Sequence, residues 1–225
     1  ALPGVITNYS YTGYPLHMPT YMNNKEFERF FWPSFLRQCK ELASLGVRTM
    51  AFCEDNWMRY ADYLQELPAE SQLMFEYGDP KLVKEKLGKK HILSGLFSMV
   101  DMKTCTKQEI EKKTREFLDV MMPGGKFQFS VNKGPLTLAE LNIENTIAVY
   151  DTVEKYGVYH NPGESSGERF QKEDYQGGTV GPFESRRYTT WEQYKDQHPN
   201  TPDSARNAVM EMENAILRKV YSLCL

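Results

Sequence analysis

Short apolar runs alternate with amphipathic helical segments through the middle of the chain, and this alternation predicts the centre of the fold. The apolar runs at 47–52, 73–77, 92–97 and 127–131 have the length and composition of strands. A segment with apolar residues at helical spacing follows each run, and the last segment ends at Gly157. Strand and helix in this repeated order indicate parallel βαβ units, in either an open doubly wound sheet or a (β/α) barrel.

The N-terminal region predicts a strand end, a loop and then a long helix. A β-like stretch at 5–9 is followed by the turn residues Gly13 and Pro15, so the chain is expected to leave the sheet there. Asn24 can cap a helix with apolar positions at helical spacing as far as Gly46, a typical C-terminal stop. We expect this helix to belong to a preceding unit whose strand is partial or absent.

The C-terminal region follows a different pattern. From about 160 to 199 the sequence is rich in polar residues and glycine and lacks apolar periodicity, which predicts an extended excursion over a surface. A clear amphipathic helix then begins near Thr201. Its apolar stripe must dock on another surface, because an isolated helix of this kind is marginal in water.

Composition and charge exclude several classes of function. The 225 residues are 40% apolar and 25% charged, which is typical of a globular protein with a core. The formal charge of −3 leaves no basic excess, so no nucleic acid partner is expected. No apolar run approaches the roughly 18 residues of a membrane span, and no signal peptide is recognisable, so we expect a cytoplasmic protein without a membrane partner.

The cysteine and glycine patterns narrow the chemistry further. The four cysteines lie far apart without C-x-x-C spacing, so we expect free thiols rather than a disulfide framework or a zinc knuckle. The glycine pairs at 124–125 and 177–178 do not form a phosphate-binding motif. We therefore expect no nucleotide cofactor.

Chemistry-bearing side chains follow the ends of the predicted strands, where parallel α/β folds gather their reactive groups. Cys53 and Glu54 could supply a thiolate and a carboxylate to Zn²⁺, or Cys53 could be a small buried residue and Asp55 a helix cap. Glu76 could be a ligand, a general base or the partner of a basic residue. His17, in a loop with aromatic neighbours, could face a pocket as ligand or proton shuttle, or be structural.

An ordered series of short motifs runs along residues 14–160. The series consists of Tyr21-Met22-x-x-x-x-Phe27-x-x-Phe30-Phe31-Trp32-Pro33, Gly46-Val47 leading to Phe52-Cys53-Glu54-Asp55-Asn56-Trp57, Leu64-x-Glu66-Leu67-Pro68, Lys84-Glu85-Lys86-Leu87-Gly88, Ile92-Leu93-Ser94-Gly95-Leu96-Phe97, Pro123-Gly124-Gly125-Lys126-Phe127 and Glu144-Asn145-x-x-Ala148. In order and spacing these motifs resemble the uroporphyrinogen decarboxylase-like superfamily, with the match beginning near the middle of the family's chain.

The resemblance implies an α/β fold of the (β/α)8 TIM-barrel type. This chain would supply the C-terminal half to five-eighths of the barrel, in residues 1–159. Residues 160–225 would form a long C-terminal tail whose amphipathic helix packs on the barrel. Because a closed barrel needs about 250 residues, a missing N-terminal half or a homo-oligomer would complete it.

The resemblance also implies a chemistry. The superfamily contains porphyrinogen decarboxylases and methyltransferases that move methyl groups to or from corrinoid proteins and thiol carriers. Several of these methyltransferases bind zinc through a His-x-Cys motif at a strand end and a further Cys after the last strand. Cys53 stands at the first cysteine position, but Ala51 occupies the histidine position, and Asn132 and Lys133 stand where the further ligand is expected.

Our leading hypothesis is a methyltransferase that moves a methyl group from a small donor to a corrinoid carried by a partner protein. Cys53 and Glu54 would hold Zn²⁺, and Glu76 and His17 are the candidate catalytic residues. The candidate substrate-binding residues are Asp55, Trp57, Ser94, Asn132 and Lys133.

Two alternatives remain open. One is a cofactor-independent decarboxylase of an acidic tetrapyrrole, for which Lys133 and Arg59 are the basic candidates at strand ends. The other is a non-catalytic half-barrel that assembles with a partner chain or a second copy, because an open parallel sheet leaves strand edges that something must cover.

Overall fold

The computed structural model describes residues 11–159, 167–177 and 189–224. The chain forms two compact units, one within 1–177 and the other within 178–225. The predicted division between 159 and 160 stays a prediction.

A parallel sheet of four strands forms the centre of the first unit. The strands are β1 (Tyr11–Pro15), β2 (Arg48–Cys53), β3 (Gln72–Phe75) and β4 (Ile92–Gly95), and they lie in the order β1-β2-β3-β4. Beyond β4, the segment 127–131 continues the parallel arrangement through isolated bridges rather than as a regular strand. The predicted α/β class with parallel strands is confirmed.

The consecutive strand order favours one of the two predicted topologies. Crossovers between parallel strands are right-handed, so strands laid down one after another keep all connecting helices on one face of the sheet. A doubly wound sheet instead reverses its order at a switch point. The sheet described here is therefore singly wound, as in a segment of a (β/α) barrel.

The helices of the first unit cover one face of the sheet. They are α1 (Asn24–Glu26), α2 (Trp32–Ser44), α3 (Ala61–Leu64), α4 (Pro80–Leu87), α5 (Met99–Thr104), α6 (Lys107–Met121) and α7 (Ile143–Tyr156). Strand residues such as Ala51, Cys53, Leu73 and Phe75 are fully buried in the same core as residues of these helices. Met50, which precedes Ala51 in β2, is exposed, because successive residues of a strand face opposite sides of the sheet.

The sequence prediction was wrong about the first strand. Gly13 and Pro15, which predicted a turn, lie inside β1, and the stretch at 5–9 lies outside the described residues. β1 is bonded to β2 alone among the described strands, and Pro15 at its end fits such an edge position because proline donates no ladder hydrogen bond. Gly13 faces Met50, whose Cε would lie 3.1 Å from a Cβ at this position, so a small residue suits the pairing.

The long N-terminal helix is interrupted near Pro33. A π-helical turn at Phe27–Phe31 separates α1 from α2, and the Trp32 N–H donates to the Phe27 carbonyl, five residues back. Pro33 has no N–H to donate to the helical hydrogen-bond series, and a π turn is one of the backbone arrangements that accommodate such a missing bond.

The segment 167–177 packs at the amino ends of the strands. The Glu168 N–H donates to the Lys89 carbonyl over 3.0 Å, and the Ala69 N–H donates to the Tyr175 hydroxyl over 2.8 Å. Lys126 donates to the Glu168 carbonyl. This segment, which we call the strap, therefore closes the amino edge of the sheet.

The second unit is described as two helices, α8 (Trp191–Gln197) and α9 (Arg206–Cys224). Thr190 caps α8 by accepting from the Gln193 N–H, and the Gln193 side chain accepts from the Thr190 N–H in return. The predicted amphipathic helix corresponds to α9, which follows a 3-10 turn at Asp203–Ala205. In the described parts of the chain, no helix combines the length and apolar character needed to cross a membrane.

Candidate functional site

Two cavities that share residues open at the carboxyl edge of the sheet, where β2 and β3 end. The larger has a volume of about 520 Å3 and is lined by Phe52, Glu54, Glu76, Met99, Val100, Lys103, Lys133, Gly134, Leu136 and Glu140. The smaller has a volume of about 210 Å3 and is lined by His17, Thr20, Tyr21, Glu54, Asp55, Glu76 and Tyr77. Glu54 and Glu76 line both cavities, so the two spaces form one candidate site.

Glu76 is the most constrained carboxylate of the site. Its side chain is only 12% exposed, and one oxygen, Oε1, lies 3.3 Å from Lys133 Nζ. Its other oxygen, Oε2, accepts from the Asp55 N–H over 2.9 Å. Asp55 has a φ of 61°, which is left-handed backbone, so the bond to Glu76 supports a strained turn at the end of β2.

Lys133 reaches the site from the loop that follows the segment 127–131. The hydrogen bond to Glu76 is the main cause of a raised pKa at Lys133, followed by the charge of Tyr77. Asn132 holds this loop, since its Oδ1 accepts from the Met99 N–H over 3.1 Å and from the Lys133 N–H over 3.1 Å. Asn132 thus positions the loop, and the Lys133 side chain lines the larger cavity.

His17 and Glu54 form a second polar pair at the site. Their atoms Nδ1 and Oε2 are 3.7 Å apart, and both side chains are close to half exposed. A histidine that contacts a carboxylate is a common arrangement for proton transfer in enzyme sites. The pair lies on the side of Glu54 that faces the smaller cavity.

Side chains that follow β2 in the sequence anchor the loop that carries His17. The Trp57 indole donates from Nε1 to the Leu16 carbonyl over 2.8 Å. The Arg59 guanidinium donates to the carbonyls of Thr20 and Met22 over 2.7 and 2.6 Å. These bonds fix the backbone of residues 16–22 while leaving the His17 side chain at the cavity.

The structure does not bring Cys53 to the cavities. Its side chain is fully buried in the core between sheet and helices, and this burial raises the pKa of the thiol. The next residue, Glu54, lines both cavities. Among the residues that the structure describes, no three His, Cys, Asp or Glu side chains lie close enough to hold a metal ion. These residues do not fit the zinc site that the resemblance implies, so we assign no step to a metal.

Three predicted substrate-binding residues, Trp57, Ser94 and Asn132, also line neither cavity. Trp57 is fully buried, and its ring lies 6.2 Å from the Phe27 ring, centroid to centroid, in an edge-on arrangement. Ser94 is 2% exposed within β4. Five of the predicted residues do line the cavities, namely His17, Glu54, Asp55, Glu76 and Lys133. Their chemical roles stay predictions.

Sequence reasoning missed the aromatic and apolar walls of the site. Tyr77 directly follows Glu76, so the rule that selected strand ends could have selected it as well. Met99 and Val100 begin α5 and belong to the same class of strand-to-helix junction. Leu136 is 91% exposed in a loop without periodicity, and no pattern in the sequence indicates its position.

Comparisons with known proteins add little to this geometry. No family model and no curated protein match the chain. Among solved structures, a methyltransferase from Methanosarcina mazei is similar, with a TM-score of 0.47 and 17% sequence identity. The match covers 66% of this chain and 42% of that chain, so this chain spans less than half the length of that methyltransferase. We therefore base the function on the site itself.

Proposed function

We propose that the chain supplies the reacting site of a methyltransferase of the uroporphyrinogen decarboxylase-like kind, and that its sheet is part of a (β/α)8 barrel. The observation that carries the proposal is the convergence of His17, Glu54, Glu76 and Lys133 on adjoining cavities at the carboxyl edge of a singly wound parallel sheet. This edge is where barrel enzymes bind their substrates. The motif series supports the superfamily, and the residues of the site support this activity over the alternatives.

The walls of the larger cavity suit a methyl group in transit. Phe52, Met99 and Val100 give it an apolar side that a methyl group can contact, while Glu54 and Glu76 supply the polar side. The expected acceptor is a corrinoid carried by a separate protein. The chain's own residues bind and orient the donor, and His17 can exchange a proton with the group that the methyl leaves.

The charges of the site support a decarboxylase of an acidic tetrapyrrole less well. Such a substrate needs free cations to bind its carboxylates. The described lining residues comprise four carboxylates, at Glu54, Asp55, Glu76 and Glu140, and two ammonium groups, at Lys103 and Lys133. Lys133 is paired with Glu76, and Arg59 donates to backbone carbonyls of the 16–22 loop.

The test is methyl transfer by the full 225-residue chain. The protein is incubated with reduced cobalamin and, separately, with methylated amines, methyl thioethers and methyl ethers, and the demethylated product is measured by mass spectrometry. We expect turnover of at least one donor and a loss of about 100-fold or more in Glu76→Gln, which keeps the shape of the side chain but removes its charge. Glu85→Gln, at an exposed position of α4, is the control and should keep the parental rate. The absence of transfer from every donor, or a fully active Glu76→Gln, would contradict the proposal.

A further inference from the structure

We infer that the smaller cavity binds a small ammonium compound, such as a methylated amine, between its carboxylates and the faces of its tyrosine rings. This inference rests on the proposed function, for which it names the class of the methyl donor or of the amine that leaves.

The wall of the smaller cavity is strongly acidic. Glu54, Asp55 and Glu76 all line it, and the described lining contains no lysine or arginine. Its basic group is His17, which lies 3.7 Å from Glu54. A cation entering this space gains Coulomb energy from Glu54 and Asp55, and from Glu76 when Lys133 withdraws, whereas an anion is repelled by these carboxylates.

Two tyrosine rings complete the wall. Tyr21 is 79% exposed and Tyr77 is 47% exposed, so both rings present surface to a ligand. Aromatic faces attract cations, and they suit methylated ammonium groups because the methyls pack on the ring while the charge is retained. The volume of about 210 Å3 lies below the range of about 300–1,000 Å3 for drug-sized ligands, so the occupant is small.

The chain already places one ammonium group against part of this wall. Lys133 Nζ lies 3.3 Å from Glu76 Oε1 and 5.9 Å from the centroid of the Tyr77 ring. The Lys133 side chain is half exposed on a flexible stem, so it can withdraw. A ligand ammonium would use the same carboxylate and the same ring, and it would compete with Lys133 for them.

This competition separates a cationic ligand from an anionic one. If the ligand is a cation, Lys133→Met removes its competitor and frees Glu76, so binding becomes tighter. If the ligand is a carboxylate, Lys133 is its nearest anchor, and the same substitution weakens binding. The two classes of ligand therefore predict opposite signs for a single variant.

The experiment measures binding to the full chain by calorimetry and by ligand-observed NMR. The probe is choline, and its matched control is 3,3-dimethylbutan-1-ol, which has the same shape without the charge. We expect choline to bind at least about tenfold more tightly than the alcohol. We expect further tightening in Lys133→Met, weakening in Glu54→Gln and no change in Glu85→Gln. Tyr77→Phe should keep choline binding because the ring remains, and Tyr77→Leu should lose it.

Three results would overturn the inference: equal binding of choline and the alcohol, weaker choline binding in Lys133→Met, or binding of propionate in preference to choline. If methyl transfer from a neutral donor is then observed, the proposed function stands and only the ligand class is wrong. If choline binds with the expected selectivity but no donor is demethylated, the ammonium site stands and the methyltransferase proposal fails.

Discussion

The two edges of the sheet carry similar ion pairs in very different surroundings. At the amino edge, Lys126 lies 3.4 Å from Glu70, and its side chain is only 2% exposed. Glu70 is also 3.0 Å from Arg48. At the carboxyl edge, Lys133 lies 3.3 Å from Glu76, and its side chain is 50% exposed. The distances are nearly equal, so the burial of the lysine and the number of partners make the difference.

The strap explains why the two edges differ. It covers the amino edge, where the Glu168 carbonyl accepts a further hydrogen bond from Lys126. The carboxyl edge is left open as cavities. A buried and fully bonded ion pair is costly to break, whereas an exposed pair exchanges readily with water. We therefore expect the amino edge to stabilise the fold and the carboxyl edge to be free for ligands.

The largest expected effect is that of Lys126→Met. The substitution removes a buried ammonium while leaving Glu70 and the Glu168 carbonyl in place, so we expect a loss of about 3 kcal/mol in the free energy of unfolding. Urea denaturation followed by tryptophan fluorescence measures it, since Trp32 and Trp57 are both buried in the first unit. A loss below about 1 kcal/mol would contradict the idea that the amino edge holds the fold together.

The next effect is a pH dependence that arises at His91, just before β4. The side chain is buried, and neither ring nitrogen has a hydrogen-bond partner of acceptable geometry among the described residues. The nearby backbone of Leu64 favours the protonated form, but by less than burial and Lys90 disfavour it. Burial and then the charge of Lys90 lower the pKa of His91 to about 3. The unfolded chain binds the proton near pH 6.5, so stability is fully present above that pH and falls as the pH drops toward 3.

We expect the stability of the parent protein to fall by about 2 to 3 kcal/mol from this group between pH 7 and pH 4. His91→Leu removes the titration and fills the same apolar space, so its stability should change less over that interval. Urea denaturation at a series of pH values measures both. An identical pH profile for parent and variant would show that His91 is not the group responsible.

How far the sequence predicts these edges depends on the range of the interactions. Strand ends follow from local patterns, so the sequence predicts that Glu54 and Glu76 lie at the carboxyl ends of strands. The direction of Cys53 was not predictable, because a shift of one residue in register turns a side chain to the other face. The pair of Glu70 and Lys126 joins residues 56 positions apart, and no local pattern indicates that they meet.

Strand β1 also shows that local sequence patterns do not predict a structure that long-range contacts decide. Gly13 and Pro15 predict a turn by local propensity, yet the parallel pairing with β2 places them in a strand. Propensity is a weak guide where tertiary contacts decide, and an edge strand tolerates residues that a central strand does not. The unit whose strand was expected to be partial or absent contains the strand β1, followed by α1 and α2, in the described structure.

A smaller effect is expected for Arg59→Met, which tests how the carboxyl edge obtains its shape. The guanidinium donates to three carbonyls of the 16–22 loop, and the Tyr60 hydroxyl donates to the Met22 carbonyl over 3.1 Å. Because Tyr60 and Trp57 still hold the loop, we expect a loss of only about 1 kcal/mol in stability. Choline binding should weaken more clearly, since His17 and Tyr21 lose their placement. Unchanged binding would mean that Arg59 does not position the site.

The smallest effect on stability is expected for Lys133→Met, the counterpart of Lys126→Met at the other edge. Both substitutions remove an ammonium from a carboxylate at nearly the same distance, so any difference between them reports the surroundings of the pair. Lys133 is half exposed, and water replaces its contact with Glu76, so the denaturation midpoint should not move measurably. A loss as large as that of Lys126→Met would mean that the carboxyl edge is as closed as the amino edge. An unchanged midpoint together with altered ligand binding would mean that the Lys133–Glu76 pair serves the ligand rather than the fold.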